Sequence, residues 1–592
     1  MKRITLLASM FCIGASLWAQ QEPLQDLSGF ESVQGNWQIA GAVAVDPSID
    51  SNKKAIPFSK KELKKRKKQG LSLVPPSAIS LTAGQGVLVQ PSPEKAKLST
   101  SWEHGNLDLE FDLLLAQGGQ ATLWLQGSYP IQLSDSWNTA VLNPQDMGGV
   151  PLTHGDYKGK APNANAAKAP GLWQHVKLRF LTAVPETGDS KGSPARLEFL
   201  EINGQRVQEQ LLLTGPSPKT QAPLTLEGHG VALKNLSYKL LNACTASWSA
   251  LGYKTYKGKI DSFENMATMP VEFSGEADLI DVRAAQRNGN YGIYFKGALD
   301  IQEKDTYTFS AAFHGDTQTT INGIPMKPSG WGQQKLTLAL DPGEYIVEIR
   351  NKKGYRNAPK FGLWVSGSST LPKALHTAAS VPLQPSRMGS PIFINVGQKP
   401  ELVRAFYDYE GDSKQRLTHS MAVGDPSGIH YVYDLKQGNL ACVWKGDFLN
   451  ASPMWDGRGN GTYRLRGARQ HIYNAPTVSG DEVDLTPKGY SVDAKSGLPT
   501  FEYSLGNTQI SDRIKPNGNG GLQRIISGNG VGNGLTVQLA QGQQIEKLND
   551  RYRVDGGYYI IPKTACSVQE KDGKQILVSS LHDQPIKYDI QW

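Results

Sequence analysis

The stretch "NLDLEFDLLL" (residues 106–115) alternates polar and apolar side chains from Asn106 to Leu113. Extended chains point successive side chains to opposite faces, so Leu107, Leu109, Phe111 and Leu113 form one apolar face while Asp108, Glu110 and Asp112 form a polar one. The segments "QATLWLQG", "WQHVKLRFL", "ARLEFLEING" and "VALKNLSYKLL" repeat the pattern, separated by Gly, Pro and Asn turns. Strand following strand with no intervening helical pattern predicts a two-sheet sandwich.

A chain of 592 residues is too long for one such core, and a domain per roughly 100 to 200 residues predicts three or four. Its 62 glycines, 35 prolines and 12 tryptophans favour turn-rich β architecture over helical bundles. The expected fold class is all-β throughout. A first domain spans 21–241 and a second 245–370, the latter built on "GIYFKGALDIQEKDTYTFSAAF", an Asn-Gly turn and "PGEYIVEIRN". The polar, Pro-rich residues 371–391 read as a linker, and 392–592 as a third β-rich domain.

The start "MKRITLLASMFCIGASLWAQ" has a basic opening, an apolar run and Ala19 ahead of a polar segment, which predicts a cleavable leader at 1–19 and a periplasmic or secreted protein. No later apolar stretch has the roughly 18 residues a membrane helix needs. Beyond the leader stand Cys244, Cys442 and Cys566, too few and too scattered for a disulfide scaffold and outside any CxxC or CxxCH pattern. The formal charge of +8 is local: residues 51–70 carry nine basic residues and one acid. Such a run is expected as an exposed loop or short helix, and a nucleic-acid partner, which would require basic residues spread over a folded face, is not expected.

The HExxH pattern is absent, and the glycine clusters "PNGNGG" and "SGNGVGNG" lack the lysine and hydroxyl of a phosphate loop. Carboxylates, histidines and tryptophans on sheet faces remain, and these are the groups of carbohydrate sites: acids and bases for chemistry, indole faces for stacking on sugar rings.

In order along the chain, "YPIQLSDSW" (129–137), "MGGVP" (147–151), "APNANAAKAPGLWQHVKLRF" (161–180), "LEINGQRV" (200–207) and "APLTLEGHGVALKNLSYKLL" (222–241) resemble the 3-keto-disaccharide hydrolase family, also described as family 16 glycoside hydrolase-like. The resemblance implies a concanavalin-like jelly roll with a sugar-binding concave face, and hydrolysis or eliminative cleavage of 3-keto-glycosides, sometimes with a divalent metal ion. It places Gln132 and Asp135 on the family's Glu-x-Gln-x-x-Asp strand and His229 on its Gln-x-His-Gly segment. Here Pro130 stands at the acid position and Glu227 at the glutamine. The second unit is similar to the protective-antigen-type β-sandwich, with His314, Asp316 and Asn322 in its loops. The third resembles the C-terminal β region of secreted haem-bearing sugar dehydrogenases, which implies such a dehydrogenase as a partner; Asp447, Trp455, Asp456 and Arg458 form a dense polar group there.

The expected site therefore has Asp135, Glu227 and His229 as catalytic groups, and Gln132, Trp137 and Glu110 as substrate-binding ones, with a carbohydrate as partner. Each has a plainer reading. Asp135 could close a turn, Gln132 could be an exposed strand residue, His229 could be a loop histidine between glycines, and Glu110 with Asp112 could be a solvated sheet face. Two functions stay open beside cleavage: non-catalytic glycan binding, and an accessory role in periplasmic sugar oxidation.

Overall fold

The computed structural model describes residues 20–592 apart from 54–58, 71–76, 152–157, 185–191, 214–218, 355–357, 382–390, 457, 481–483 and 533. The leader expected at 1–19 lies outside the described residues. The chain forms two compact units: Lys239–Arg387, and Gln20–Tyr238 together with Met388–Trp592. The first and third domains expected from the sequence thus share one unit.

In that shared unit, residues 20–238 form the jelly roll. One layer runs in the order Gln205–Leu213, Ala195–Ile202, Trp173–Leu181, the first half of Leu107–Leu125, the second half of Ala222–Leu240, Ile79–Gln90 and Gln38–Val45. The other layer holds Tyr129–Ser134, the second half of Leu107–Leu125, the first half of Ala222–Leu240, and Ala96–His104. Two 19-residue strands, Leu107–Leu125 and Ala222–Leu240, therefore serve both layers. Leu107, Leu109, Phe111, Leu113, Leu123, Ile131 and Leu133 lie in the core between the layers, where their alternation sends them. Asp108, on the outer face, forms a two-pronged ion pair with Arg179 at 2.6 and 2.8 Å.

The basic insertion is a helix, Lys60–Lys68, opened by Ser59, whose hydroxyl accepts the Glu62 N–H at 3.3 Å. None of its residues is buried, and four basic side chains occupy its last turn, where the helix dipole favours them.

Residues 388–592 pack two further cores. An eight-stranded antiparallel sheet runs from Leu485–Val492 to Ile545–Lys547 and includes Thr508–Pro516 and Leu522–Asn529. Arg524 points inward between Leu522 and Ile526 and meets Asp512 at 2.5 Å, both side chains fully buried. Tyr433 donates to Asp512 at 2.7 Å, and Arg524 also donates to Thr477, Gly438 and Tyr588, so the buried charges are saturated with partners.

The unit Lys239–Arg387 pairs a six-stranded with a five-stranded sheet around Phe295, Phe309, Val347 and Leu363. Residues 371–381, expected as linker, are folded into it: Lys373–Ala374 pairs with Phe361–Ser366, Leu375 is buried, and His376 packs edge-on against Trp364. The Pro-rich signal that suggested a linker comes from 382–391, mostly outside the described residues. His314, Asp316 and Asn322 are satisfied locally, by the Ala358 carbonyl, Lys352 and the Ile346 N–H.

Candidate functional site

The long strands change layers at glycines. Leu107–Leu125 pairs with Trp173–Leu181 up to Leu114 and with Tyr129–Ser134 from Gln120, and between them stands "QGG" (117–119). Ala222–Leu240 changes partner across Gly228, His229 and Gly230. The two crossings touch backbone to backbone: a Cβ on Gly119 would lie 2.4 Å from the Gly230 carbonyl oxygen, and one on Gly228 the same distance from that of Gln120. With φ of +70° at Gly118 and +61° at Gly230, side chains are disfavoured there on conformational grounds as well.

Asp135 is bound to this crossing. Its N–H donates to the Gly119 carbonyl and its Oδ2 accepts the Gly118 N–H, both at 2.9 Å. Burial raises its pKa, against the lowering effect of the Gly118 and Trp137 amides and of Lys445. Asp50 adds a further upward push; it sits over the same bend, beside Ser51 and Asn52, which donate to the Gln117 and Gly118 carbonyls.

His229 is 3% exposed, and its Nδ1 is buried without a hydrogen-bond partner among the described residues. Burial lowers its pKa, Lys95 lowers it further and Asp50 opposes them, so the ring is neutral at neutral pH. Alternation along Ala222–Leu240 puts Thr225, Glu227 and His229 on the face turned away from Leu224 and Leu226. Glu227 is half-buried and opposite Lys97 in register. Gln132 lies on the same face of its layer, paired with Thr122, whose hydroxyl donates to its Oε1 at 3.2 Å. It is 5% exposed, because Gly148 and Gly149 add backbone hydrogen bonds along the free edge of its strand. Glu110 does not join this group. It lies on the outer face of the other layer, 3.2 Å from Lys177 and 3.3 Å from His175, as part of a solvated ion-pair network.

Trp137 leaves the sheet toward residues 388–592. Its indole N–H donates to the Trp592 carbonyl, and its ring carries the Lys445 ammonium 3.9 Å from the centroid. Lys445 also donates to the Trp137 carbonyl at 3.1 Å. Burial holds the Lys445 pKa well below the usual lysine range, with Asp135 pulling the other way. Trp137, Asn138, Asn165, Lys445 and Asp447 line a cleft of about 340 Å³. Lys445 ends the fully buried strand Asn439–Lys445, and a lysine closing "NLACVWK" was the available sequence signal for it.

Residues 25–240 match the model of the 3-keto-alpha-glucoside-1,2-lyase-like domain family. The match covers the jelly roll and ends where the unit Lys239–Arg387 begins. No curated protein matches the chain. Among solved structures, a β-glucosidase from Kluyveromyces marxianus in complex with glucose aligns at 14% identity over 20% of this chain and 16% of its own, with a TM-score of 0.17. A candidate glycosyl hydrolase from Parabacteroides distasonis aligns at 19% identity over 26% of this chain and 87% of its own, with a TM-score of 0.19. The A domain of epithelial adhesin 9 from Candida glabrata in complex with Galβ1-4GlcNAc aligns at 9% identity over 23% and 92%, with a TM-score of 0.18. This chain spans only about a sixth of the β-glucosidase it matches, at 16%.

A divalent metal finds no ready seat among the described residues of the lyase-like domain. Among the described residues no three His, Cys, Asp or Glu side chains gather closely enough to hold an ion. Pro130 is buried opposite Trp124, with no carboxylate at that strand position. No helix among the described residues is long and apolar enough to cross a membrane.

Proposed function

We propose that the lyase-like domain acts on carbohydrate and cleaves 3-keto-glycosides by elimination, in a protein exported by the leader at 1–19. The observation that carries this reading is His229: a buried, neutral imidazole with an unpartnered nitrogen, on the same sheet face as Glu227 and beside the glycine crossing. A ketone at C3 acidifies the proton on C2. A neutral imidazole can take that proton, the electron pair becomes the enolate, and the enolate expels the C1 oxygen as the alcohol once it is protonated. The products are a 1,2-unsaturated ketone and the released alcohol, so atoms and charge balance without an oxidant or added water.

In this scheme His229 takes the C2 proton and, as the imidazolium, returns it to the leaving oxygen, while Glu227, Gln132 and Thr122 offer hydrogen bonds to ring hydroxyls. Asp135 fixes the Gly118–Gly119 bend against which His229 packs. The test is turnover of a 3-keto-α-glucoside, followed through the ultraviolet absorption of the unsaturated ketone. Wild type should turn over and His229→Asn should lose at least about a hundredfold, the usual scale for a general base. Absence of wild-type turnover on every keto-glycoside tried would sink the reading.

A second reading, glycan binding without chemistry, is favoured by Pro130, which puts no acid at the family position, and by the commitment of the Asp135 carboxylate to Gly118. It predicts saccharide binding that His229→Asn leaves intact.

A further inference from the structure

Away from the glycine crossing, a cavity of about 630 Å³ opens between the loop preceding Trp173 and residues 388–592. Its wall is mostly polar. Gln415, Gln470 and Gln541 line it with Tyr409, each amide keeping hydrogen-bonding capacity beside one internal bond, to Asp412, the His471 carbonyl and Gln538 respectively, and Lys168, Arg469 and Lys574 bring positive charge. Among the described residues neither the Lys168 ammonium nor the Arg469 guanidinium has a hydrogen-bonded or ion-paired partner. Burial lowers the Lys168 pKa to about 8, and only Asp112 opposes this. Two acids also line the cavity. Asp555 is occupied by the Gln544 N–H at 2.8 Å, and Glu410 sits at φ +54° in the short turn Tyr409–Gly411, where its own N–H is bound by His471.

Amides that both donate and accept, beside a tyrosine ring, are suited to a hydroxyl-rich ring, and two unpaired cations are suited to an anion on it. Lys168 is half-buried and Arg469 exposed, so both charges stay open to an incoming carboxylate. We propose that this cavity is a binding site for an acidic saccharide, a sugar-acid residue whose carboxylate is received by Lys168 and Arg469 and whose hydroxyls meet Gln415, Gln470 and Gln541. The site is separate from His229 and independent of any cleavage there.

The experiment is isothermal titration calorimetry of the full chain with a galacturonic acid trisaccharide and with uncharged maltotriose. The uronide should bind at least tenfold more tightly than maltotriose, and raising the salt should weaken it, since the contact includes charge. Arg469→Met and Lys168→Met should each weaken the uronide at least tenfold while maltotriose binding stays unchanged. Thermal melting of both variants verifies that they fold, and Gln541→Leu, which keeps both cations, should weaken both ligands. No uronide binding at millimolar concentration, equal binding of the two trisaccharides, or undiminished uronide binding by both methionine variants would each overturn the proposal. Loss of keto-glycoside turnover by His229→Asn bears only on the other site, so the two proposals fail separately.

Discussion

The Lys445 ammonium stands 3.9 Å from the centre of the Trp137 indole and donates to the Trp137 carbonyl, across 308 residues of chain. Cation and ring together bind residues 388–592 to the lyase-like domain. The cation is held there at the expense of its hydration, which depresses its pKa.

That depression has a sign. A lysine whose folded pKa is below its unfolded value gives its full contribution to stability above the unfolded value, and loses it as pH falls through the folded one. Wild type should therefore gain stability relative to Lys445→Met as pH rises from about 7 toward about 10, lysine's ordinary range. Denaturant midpoints of both proteins at the two pH values test this. The comparison has to be a difference, because buried tyrosines such as Tyr291, whose hydroxyls burial pushes up, oppose the gain at high pH.

Asp135 gives a second prediction. Since its Oδ2 accepts the Gly118 N–H, asparagine can make the same bond, whereas alanine cannot. Asp135→Asn should leave turnover within several-fold of wild type, and Asp135→Ala should cost about 1 to 2 kcal/mol, the scale of a lost capping bond. A large drop in turnover with asparagine at unchanged stability would make the carboxylate chemical instead.

Arg524 and Asp512 supply the third. Breaking a buried pair strands a charge, so Arg524→Ala should destabilise by about 3 to 5 kcal/mol. Replacing both partners, as Arg524→Met with Asp512→Leu, should recover much of that loss. Urea unfolding of the single and double variants decides it, and a double variant as unstable as the single one would show that the network's other partners, Tyr433 and Tyr588, dominate.

The fourth concerns acid. His104 is fully buried, its Nε2 accepting the Gln126 N–H at 3.0 Å and its Nδ1 donating to the Gly105 carbonyl at 2.9 Å, and burial lowers its pKa to about 4. Its contribution is complete above the unfolded histidine pKa near 6.5 and is lost as pH falls toward about 4, a total of about 3 kcal/mol. His104→Gln should flatten the stability profile in that window, measured by denaturant midpoints from about pH 7 to 4; an unchanged slope would assign the acid sensitivity elsewhere.

Alternation made much of the jelly roll legible: Leu107, Leu109, Phe111 and Leu113 are buried where the pattern sends them, and Glu110 faces out among Lys177 and His175. The same rule misjudged the burial of Gln132, because the loop backbone at Gly148 and Gly149 closes the strand's free edge, and period-two reasoning carries no information about loops. Asp135 was legible as either cap or acid, and only the direction of its carboxylate assigns it to Gly118. Lys445 was legible only as the lysine closing "NLACVWK"; its seat on Trp137 was not, since contacts between distant segments leave no periodic trace. Arg524 holds an inward strand position that alternation identifies, but its partner Asp512 is set by how the hairpin folds.

The order of the chain adds a constraint on how the molecule is made. The segment Lys239–Arg387 is translated between Gln20–Tyr238 and Met388–Trp592, although the latter two complete a single unit. At bacterial or eukaryotic synthesis rates of about 5 to 20 residues per second, roughly 10 to 40 s separate the emergence of Trp137's domain from that of Lys445. For longer still, until Tyr559 emerges after roughly 16 to 64 s at the same rates, Trp137, Ala169 and Leu172, later packed with Tyr559, remain uncovered on a nascent chain. A holding chaperone that recognises exposed aromatic and aliphatic surface would find its target in that window, and the yield of intact protein should depend on how quickly the ribosome crosses the intervening codons.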